Sequence, residues 1–485
     1  MLSRRNALKA GVVTAGTVGG AGLLVPALTG PSAAAATDPA PTTAPVIPQF
    51  AVPMTVPPVL APSSSSTTTD YYTVTMKKAL KEIVPGTLTE VWTYNGQYPG
   101  PTIKARSGRR VVIKQINNLD MPTSVHLHGA KVPVDSDGSP MDTIAPGAAR
   151  TYTYPNDQAA APLWFHDHAH HMESEHVYRG LSATYQLSDD AERSLPLPSG
   201  SYDVPLILRD GRFDEAGRLI YEMEDFLNRN TILVNGRPWP YFQVAARKYR
   251  FRILNSTNNR FFNLQLADGT SFVQIGSDGG LLEKPYSTTS VWLSPGERAD
   301  VVLDFSRYAV GTQLVLKNVG LPGPPETNQV MRFDVVRTAS DYSSVPDRLR
   351  TLPTPPVATV NRSFTLRMDE DGRPGAAAYI NDQTYDPNRI DTRITWGSTE
   401  VWTVTNANQL APHNFHLHLV QFRILERNGK APQPGEAGLK DTVSLLAGET
   451  VKLLVTFNSY RGIYLYHCHI FDHGAMGMMG TMEIV

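Results

Sequence analysis

Ten of the thirteen histidines fall in four short windows: His126 and His128; His166 and His168; His413, His416 and His418; and His467, His469 and His473. None lies between His176 and His413. If these windows serve one purpose, segments far apart in the chain have to meet, and the stretch between them brings no imidazole to the meeting. Residues two apart in a strand project from the same face. Each His-x-His therefore sets two imidazoles side by side, within reach of one metal or of two adjacent ones. His467-Cys468-His469 goes further, with two imidazoles on one side and a thiol on the other, so that one strand touches two sites.

The rest of the sequence supplies strands for such windows. Beyond residue 70, short apolar runs alternate with Gly, Pro, Asn and Asp, and no long 3.6-residue apolar period occurs, which predicts an all-β chain. In Tyr249-Arg250-Phe251-Arg252-Ile253 the apolar residues take every second position, as in a strand with one face on a core and one in water. Arg110 to Lys114, Val301 to Leu303 and Val451 to Phe457 are more continuously apolar and are expected to be buried on both faces. Many short strands with turn signals suggest sandwiches. A length of 485 residues suits several domains, and composition breaks at Leu187–Gly200 and Thr338–Pro356 divide the chain into 71–190, 200–338 and 357–485.

Ser3-Arg4-Arg5-Asn6-Ala7-Leu8-Lys9 opens a weakly apolar, Gly- and Ala-rich stretch that ends in small residues at Ala33 to Ala36. It reads as a cleavable signal of the twin-arginine kind over 1–36, with a membrane anchor as the alternative. The mature protein is then expected to be secreted, periplasmic or at the cell surface, with no stable membrane span. Residues 37–70, dense in Pro, Ser, Thr and Ala, are expected to form a flexible leader. A formal charge of -1 with no long basic run argues against nucleic acid and leaves a small molecule as the partner. The single cysteine, Cys468, cannot form a disulfide within the chain. In an oxidising compartment a metal would occupy that thiol.

Cys468 has companions at suitable spacing. His473 lies five residues on, past a turn, and Met478 five beyond that; His413 stands at an odd offset from His416 and His418 and so faces away from them in an extended segment. Two imidazoles, a thiolate and a weak thioether make a blue-copper electron-transfer site. Eight imidazoles remain: His126, His128, His166, His168, His416, His418, His467 and His469. Without a protein carboxylate among them, they suit a copper cluster better than a hydrolytic zinc site.

His126-Leu-His128-Gly129, Trp164-Phe-His166-Asp-His168, His413-Asn-Phe-His416-Leu-His418 and His467-Cys468-His469-Ile-Phe-Asp-His473 with Met478 together resemble the four copper signatures of the multicopper oxidases. The resemblance extends over about residues 70–485. Tyr154-Pro-Asn, Asn235-Gly-Arg-Pro-Trp-Pro and Lys440-Asp-Thr-Val are similar to the bilirubin oxidase and spore-coat laccase branch. It implies three cupredoxin-like Greek-key sandwiches, with a cluster between the first and third, and four copper ions per chain. By the same resemblance His413, Cys468, His473 and Met478 hold type 1 copper, His126 and His416 hold type 2, and His128, His166, His168, His418, His467 and His469 hold the type 3 pair.

The activity so implied is one-electron oxidation of small phenolic, aminophenolic or bilirubin-like donors, coupled to four-electron reduction of dioxygen to water. Electrons would enter at the exposed edge of His473 or His413 and pass through Cys468 to His467 and His469. The chain is expected to act as a monomer. Asp137, in Asp135-Ser-Asp137-Gly138, stands where the resembling oxidases place a proton donor, and the same four residues also make an ordinary turn. Asp472 either orients an imidazole or caps a turn. His170, His171 and His176 match no ligand position and are expected to be solvated. Met476, Met479 and Met482 offer either a transient Cu(I) contact or core packing. The family often has Pro directly after the first histidine of the third window, where this chain has Asn414, with Pro412 before it. Two other readings share these residues: a cuprous or manganese oxidase of copper homeostasis, and a copper-free structural relative.

Overall fold

The structure, a computed structural model, describes residues 45–370 and 376–485. The expected signal over 1–36 and the leader as far as residue 44 lie outside the described residues. Among the described residues, the strands form six sheets that pair into three sandwiches. In the first, a sheet containing Thr69–Lys81, Arg110–Asn117 and Ala149–Tyr154 faces one containing Val125–His128, Ala161–Asp167 and Ser182–Ser188. Val74, Tyr94, Ile113, Leu127, Tyr152 and Phe165 fill the space between them. The middle sandwich sets a seven-stranded sheet against a five-stranded one around Phe251, Phe305 and Phe333. The third sets two five-stranded sheets around Phe364, Trp402, Phe415 and Tyr466. Burying each such side chain contributes roughly 1.5–3 kcal/mol. Among the described residues no helix is long and apolar enough to cross a membrane.

Three expectations are corrected. From residue 45 onward the expected leader is strapped down: Phe50 N–H donates to Trp239 O (2.8 Å), Met54 N–H to Tyr241 O (2.7 Å) and Leu60 N–H to Thr102 O (2.8 Å). The Met54 side chain enters the middle core. An uncharged Pro-rich segment suits this place, because it can run extended along sheet edges that would otherwise show unpaired backbone. Secondly, Arg110–Asn117 and Thr450–Thr456 alternate buried and partly exposed positions, so each buries one face, whereas Arg298–Asp304 is buried nearly throughout. Thirdly, the arginine face of Tyr249–Ile253 does not meet water. Arg250 pairs with Asp300 and Glu192, and Arg252 with Asp203 and Glu192, beneath the linker that follows the first sandwich.

Four strands and two short helices position the site: β1 (Val125–His128), β2 (Ala161–Asp167), α1 (Glu173–Arg179), β3 (His413–Leu417), β4 (Gly462–His467) and α2 (Phe471–Ala475). In the antiparallel pair β1·β2, His126 lies opposite His166; in β3·β4, His416 lies opposite His467. Leu127 and Leu417, each between two histidines, and Phe165, directly before His166, point into the cores. The two-residue period thus turns the imidazoles outward from each sandwich towards the other.

Candidate metal centre

The first and third sandwiches press their histidine faces together, and all eight of the clustered imidazoles are buried. Six are anchored through one ring nitrogen. His126 Nδ1 donates to Asp137 O (2.6 Å), His166 Nδ1 to Asp167 O (2.9 Å), His416 Nδ1 to Asp441 O (2.8 Å) and His467 Nδ1 to Cys468 O (3.0 Å). His418 Nδ1 donates to Asp137 Oδ2 (2.8 Å) and His128 Nε2 to Asp441 Oδ1 (2.8 Å). Their other nitrogens then carry lone pairs. His126 Nε2, His166 Nε2, His416 Nε2 and His128 Nδ1 are buried without any hydrogen-bond partner. His418 Nε2 and His168 Nε2 face His467 Nε2 at 3.1 and 3.3 Å.

Burial is the first reason these imidazoles stay neutral, and their neighbours add to it. His126, His418 and His467 are held down at about 3, and the others well below their ordinary value. Neutral imidazoles with converging, protonless nitrogens repel one another unless a cation sits between them. The donor set is all nitrogen, which fits a borderline-soft transition metal. Donor atoms within 4.8 Å of one another occur for His126, His416 and His418; for His126, His128 and His166; and for His168, His418 and His467.

A second cluster lies across the backbone of Cys468. His413 Nε2 is held by Asn408 Oδ1 (2.8 Å), so its Nδ1 turns to the thiol, 3.9 Å from Sγ; His473 Nδ1 is 3.6 Å from Sγ. Met478 is buried in the same core, and its carbonyl accepts the Cys468 N–H (3.0 Å). Burial works against a charge on His473, yet Glu224 and the Cys468 sulfur outweigh it and hold the ring up at about 10. The pocket favours positive charge. A thiolate with two Nδ1 donors and a nearby thioether fits copper.

The expected exposed edge is absent. His413 is fully buried and His473 only 3% exposed, because the loop around Glu224 of the middle sandwich covers them; Glu224 Oε1 stands 3.6 Å from His473 Nε2. Asp472 bonds to no imidazole. It accepts from Ser174 Oγ, Glu224 N (2.9 Å) and Asn259 Nδ2 (3.3 Å), tying α2 to both other sandwiches. His176 is not solvated: it is buried in α1, with Nδ1 2.9 Å from Asp167 Oδ1. That carboxylate also accepts from Ser124 and Ala169 N–H and so fixes the turn bearing His168. His170 is half-buried, and His171, exposed, bonds Ala475 O. Met479 and Met482 are buried and Met476 partly so. Asp137 is buried between His126 and His418, and burial pushes its carboxyl up to about 6.

Several contributors were not singled out from the sequence. Arg298, in the histidine-free middle sandwich, donates to both oxygens of Asp441 (2.7 and 2.5 Å), and Asp441 holds His128 Nε2. Gly296 comes so close that a Cβ there would lie 2.8 Å from His469 Nδ1. Asn414 accepts from His469 N–H (2.6 Å) and Cys468 Sγ (3.4 Å) and donates to Pro295 O (2.8 Å), so it clamps the cysteine segment to the middle sandwich. A signal existed for Asp441, which stands inside Lys440-Asp-Thr-Val. None existed for Arg298, one of many arginines.

Three family models, each described as multicopper oxidase, match residues 75–192, 214–330 and 351–485. The chain is 35% identical to a laccase of Bacillus subtilis (strain 168), over 90% of this chain and 98% of that one. It is 37% identical to a bilirubin oxidase of Albifimbria verrucaria, over 90% of this chain and 82% of the relative. Among solved structures, a laccase from Pediococcus acidilactici Pa5930 superposes with a TM-score of 0.84 at 33% identity, covering 90% of this chain and 95% of that one.

Proposed function

The chain belongs to the multicopper oxidase family, a family of copper-dependent oxidoreductases that use dioxygen, and from that premise we propose that it is an exported, monomeric, laccase-like enzyme acting on small phenolic, aminophenolic or bilirubin-like donors. His413, Cys468, His473 and Met478 would hold one copper of type 1, His126 and His416 one of type 2, and His128, His166, His168, His418, His467 and His469 a type 3 pair. When bound, the first copper would take up electrons singly and the other three would reduce dioxygen to water. The observation that carries this reading is the meeting of the protonless Nε2 atoms of His418 and His467 with Nε2 of His168, back to back with a thiol flanked by two Nδ1 atoms. Export rests on the Ser3-Arg4-Arg5 segment alone.

The residues around the two clusters divide the work. Electrons from the small molecule enter beside Glu224 at His473, the less deeply buried of the two imidazoles at the thiol, 3% exposed against 0% for His413. Cys468 joins the two clusters covalently, since its peptide neighbours are His467 and His469. Backbone carbonyls keep the Nδ1 protons of His126, His166, His416 and His467 turned away from the metals. Asp137 stands against His418, where it holds a proton for the oxygen chemistry.

Two measurements test this. Metal analysis of the copper-replete protein should give four coppers per chain, with an intense blue band and a near-ultraviolet shoulder; two or fewer after full loading would refute the assignment. Asp137→Asn keeps the shape of the side chain but not its acid. Turnover with dioxygen should fall by about a hundredfold while the blue band is untouched. Unchanged turnover would remove Asp137 from the mechanism.

A further inference from the structure

Glu173, the first residue of α1, is 2% exposed, and neither of its carboxylate oxygens has a hydrogen-bond partner. Its N–H donates to Ala169 O (2.9 Å), which sets it one turn beyond His168, whose Nδ1 is likewise buried without a partner. On its other side, a Cβ built on Gly474 would lie 3.7 Å from Glu173 Oε1. The carboxyl therefore occupies the space that this glycine leaves free, between the segment of His166 and His168 and the segment that runs from His467 to His473. A buried carboxyl without a protein partner is neutral or bonded to water. The unpartnered nitrogen of His168 and the unpartnered oxygens of Glu173 are two ends that water can join.

We propose that Glu173 is a proton-delivering residue for dioxygen reduction, passing protons through bound water towards His168 and recovering them from solvent past Tyr385 and His170. The proposal rests on the oxidase reading above. Turning one dioxygen into two waters takes four electrons, one from each of four organic molecules, and four protons. At each delivery the Glu173 O–H bond breaks, the proton goes to water on the His168 side, and the carboxylate regains a proton from solvent. Nothing else is consumed. Tyr385 is near enough to Glu173 to sense its charge, and its ring centroid stands 5.0 Å from that of the half-buried His170. Asp167 from β2 and Asp472 from α2 are the charged groups that act on the carboxyl, and the backbone N–H groups of Met172 and Glu173 act on it from its own segment. Burial above all, with Asp167 and Asp472 adding repulsion, holds it up at about 8, so it carries its proton at neutral pH.

The test separates oxygen reduction from electron uptake. In Glu173→Gln, copper content, the blue band and anaerobic bleaching by a phenol should match the wild type, while reoxidation by dioxygen slows tenfold or more and loses its fall above pH about 8. Combining Glu173→Ala with Gly474→Glu returns a carboxyl to the same space from the opposite wall and should restore most of the rate lost in Glu173→Ala alone. Independently of any copper, the metal-free wild type at neutral pH should show a carboxylic acid stretching band in the infrared that Glu173→Gln lacks. Reoxidation at the wild-type rate, equal slowing of bleaching and reoxidation, a double variant as slow as Glu173→Ala, or no such band would each overturn the proposal. A wild type that binds no copper would overturn the oxidase reading, and the infrared band would still report the Glu173 proton.

Discussion

Replacing Cys468 by serine should abolish the blue absorption, lower the copper content by one ion per chain, and cut turnover by at least about a thousandfold. The sulfur is fully buried and flanked by His473 Nδ1 at 3.6 Å and His413 Nδ1 at 3.9 Å. A hydroxyl is smaller and harder and forms no thiolate, so the ligand that selects copper is lost along with the covalent route to His467 and His469. The fold should survive, because the serine hydroxyl can still donate to Asn414 Oδ1, which now lies 3.4 Å from the sulfur. Absorption, metal analysis and steady-state oxidation of a phenol check the result together. A blue band in the serine variant, or turnover near the wild-type rate, would remove Cys468 from the path.

The largest effect on stability should come from Arg298→Leu. Arg298 is 3% exposed and grips both oxygens of Asp441, while also donating to Pro162 O (2.9 Å) and Gly296 O (2.9 Å). One guanidinium thus links all three sandwiches. Asp278, close by, has Lys440 Nζ at 2.9 Å and keeps a counter-charge when the arginine goes. Asp441 does not. Leaving a buried carboxylate uncompensated costs about 3–5 kcal/mol, which chemical denaturation of the metal-free protein would read. Asp441 also orients His128, so copper affinity should drop by about 10–100-fold. Removing Asp441 together with Arg298 should recover part of the stability, since no charge is then stranded, but not the copper affinity. Equal stability of Arg298→Leu and wild type would show that the pair is solvated in solution.

How much could be read beforehand follows from particular residues. His126 and His128, or His416 and His418, are legible because a strand has a two-residue period whatever surrounds it. The opposed directions of Cys468 and its neighbours follow from the same period, and the structure brings His413 and His473 to the thiol as the spacing implied. Burial of the arginine face at Arg250 was not legible, because Glu192, Asp203 and Asp300 come from three other places in the chain. The strap from residue 45 to 63 is not legible for a related reason: few charges and many prolines describe a free coil and an extended edge segment equally well. Glu173 carries no motif, and only burial against Gly474 distinguishes it from the surface acids.

By itself the sequence determined which atoms can bind metal and on which side of each strand they stand, because side-chain chemistry and backbone period are local properties. Only the tertiary structure decided which nitrogen of each imidazole is free. That choice is made by carbonyls and carboxylates from distant residues: Asp137 for His418, Asp441 for His128 and Asn408 for His413. It likewise decided that the middle sandwich, without a histidine of its own, holds the centre together through Arg298, Gly296 and the partners of Asn414. Hydrogen bonding and charge compensation in a water-free interior depend on what is brought within about 3 Å, and no spacing along the chain encodes that.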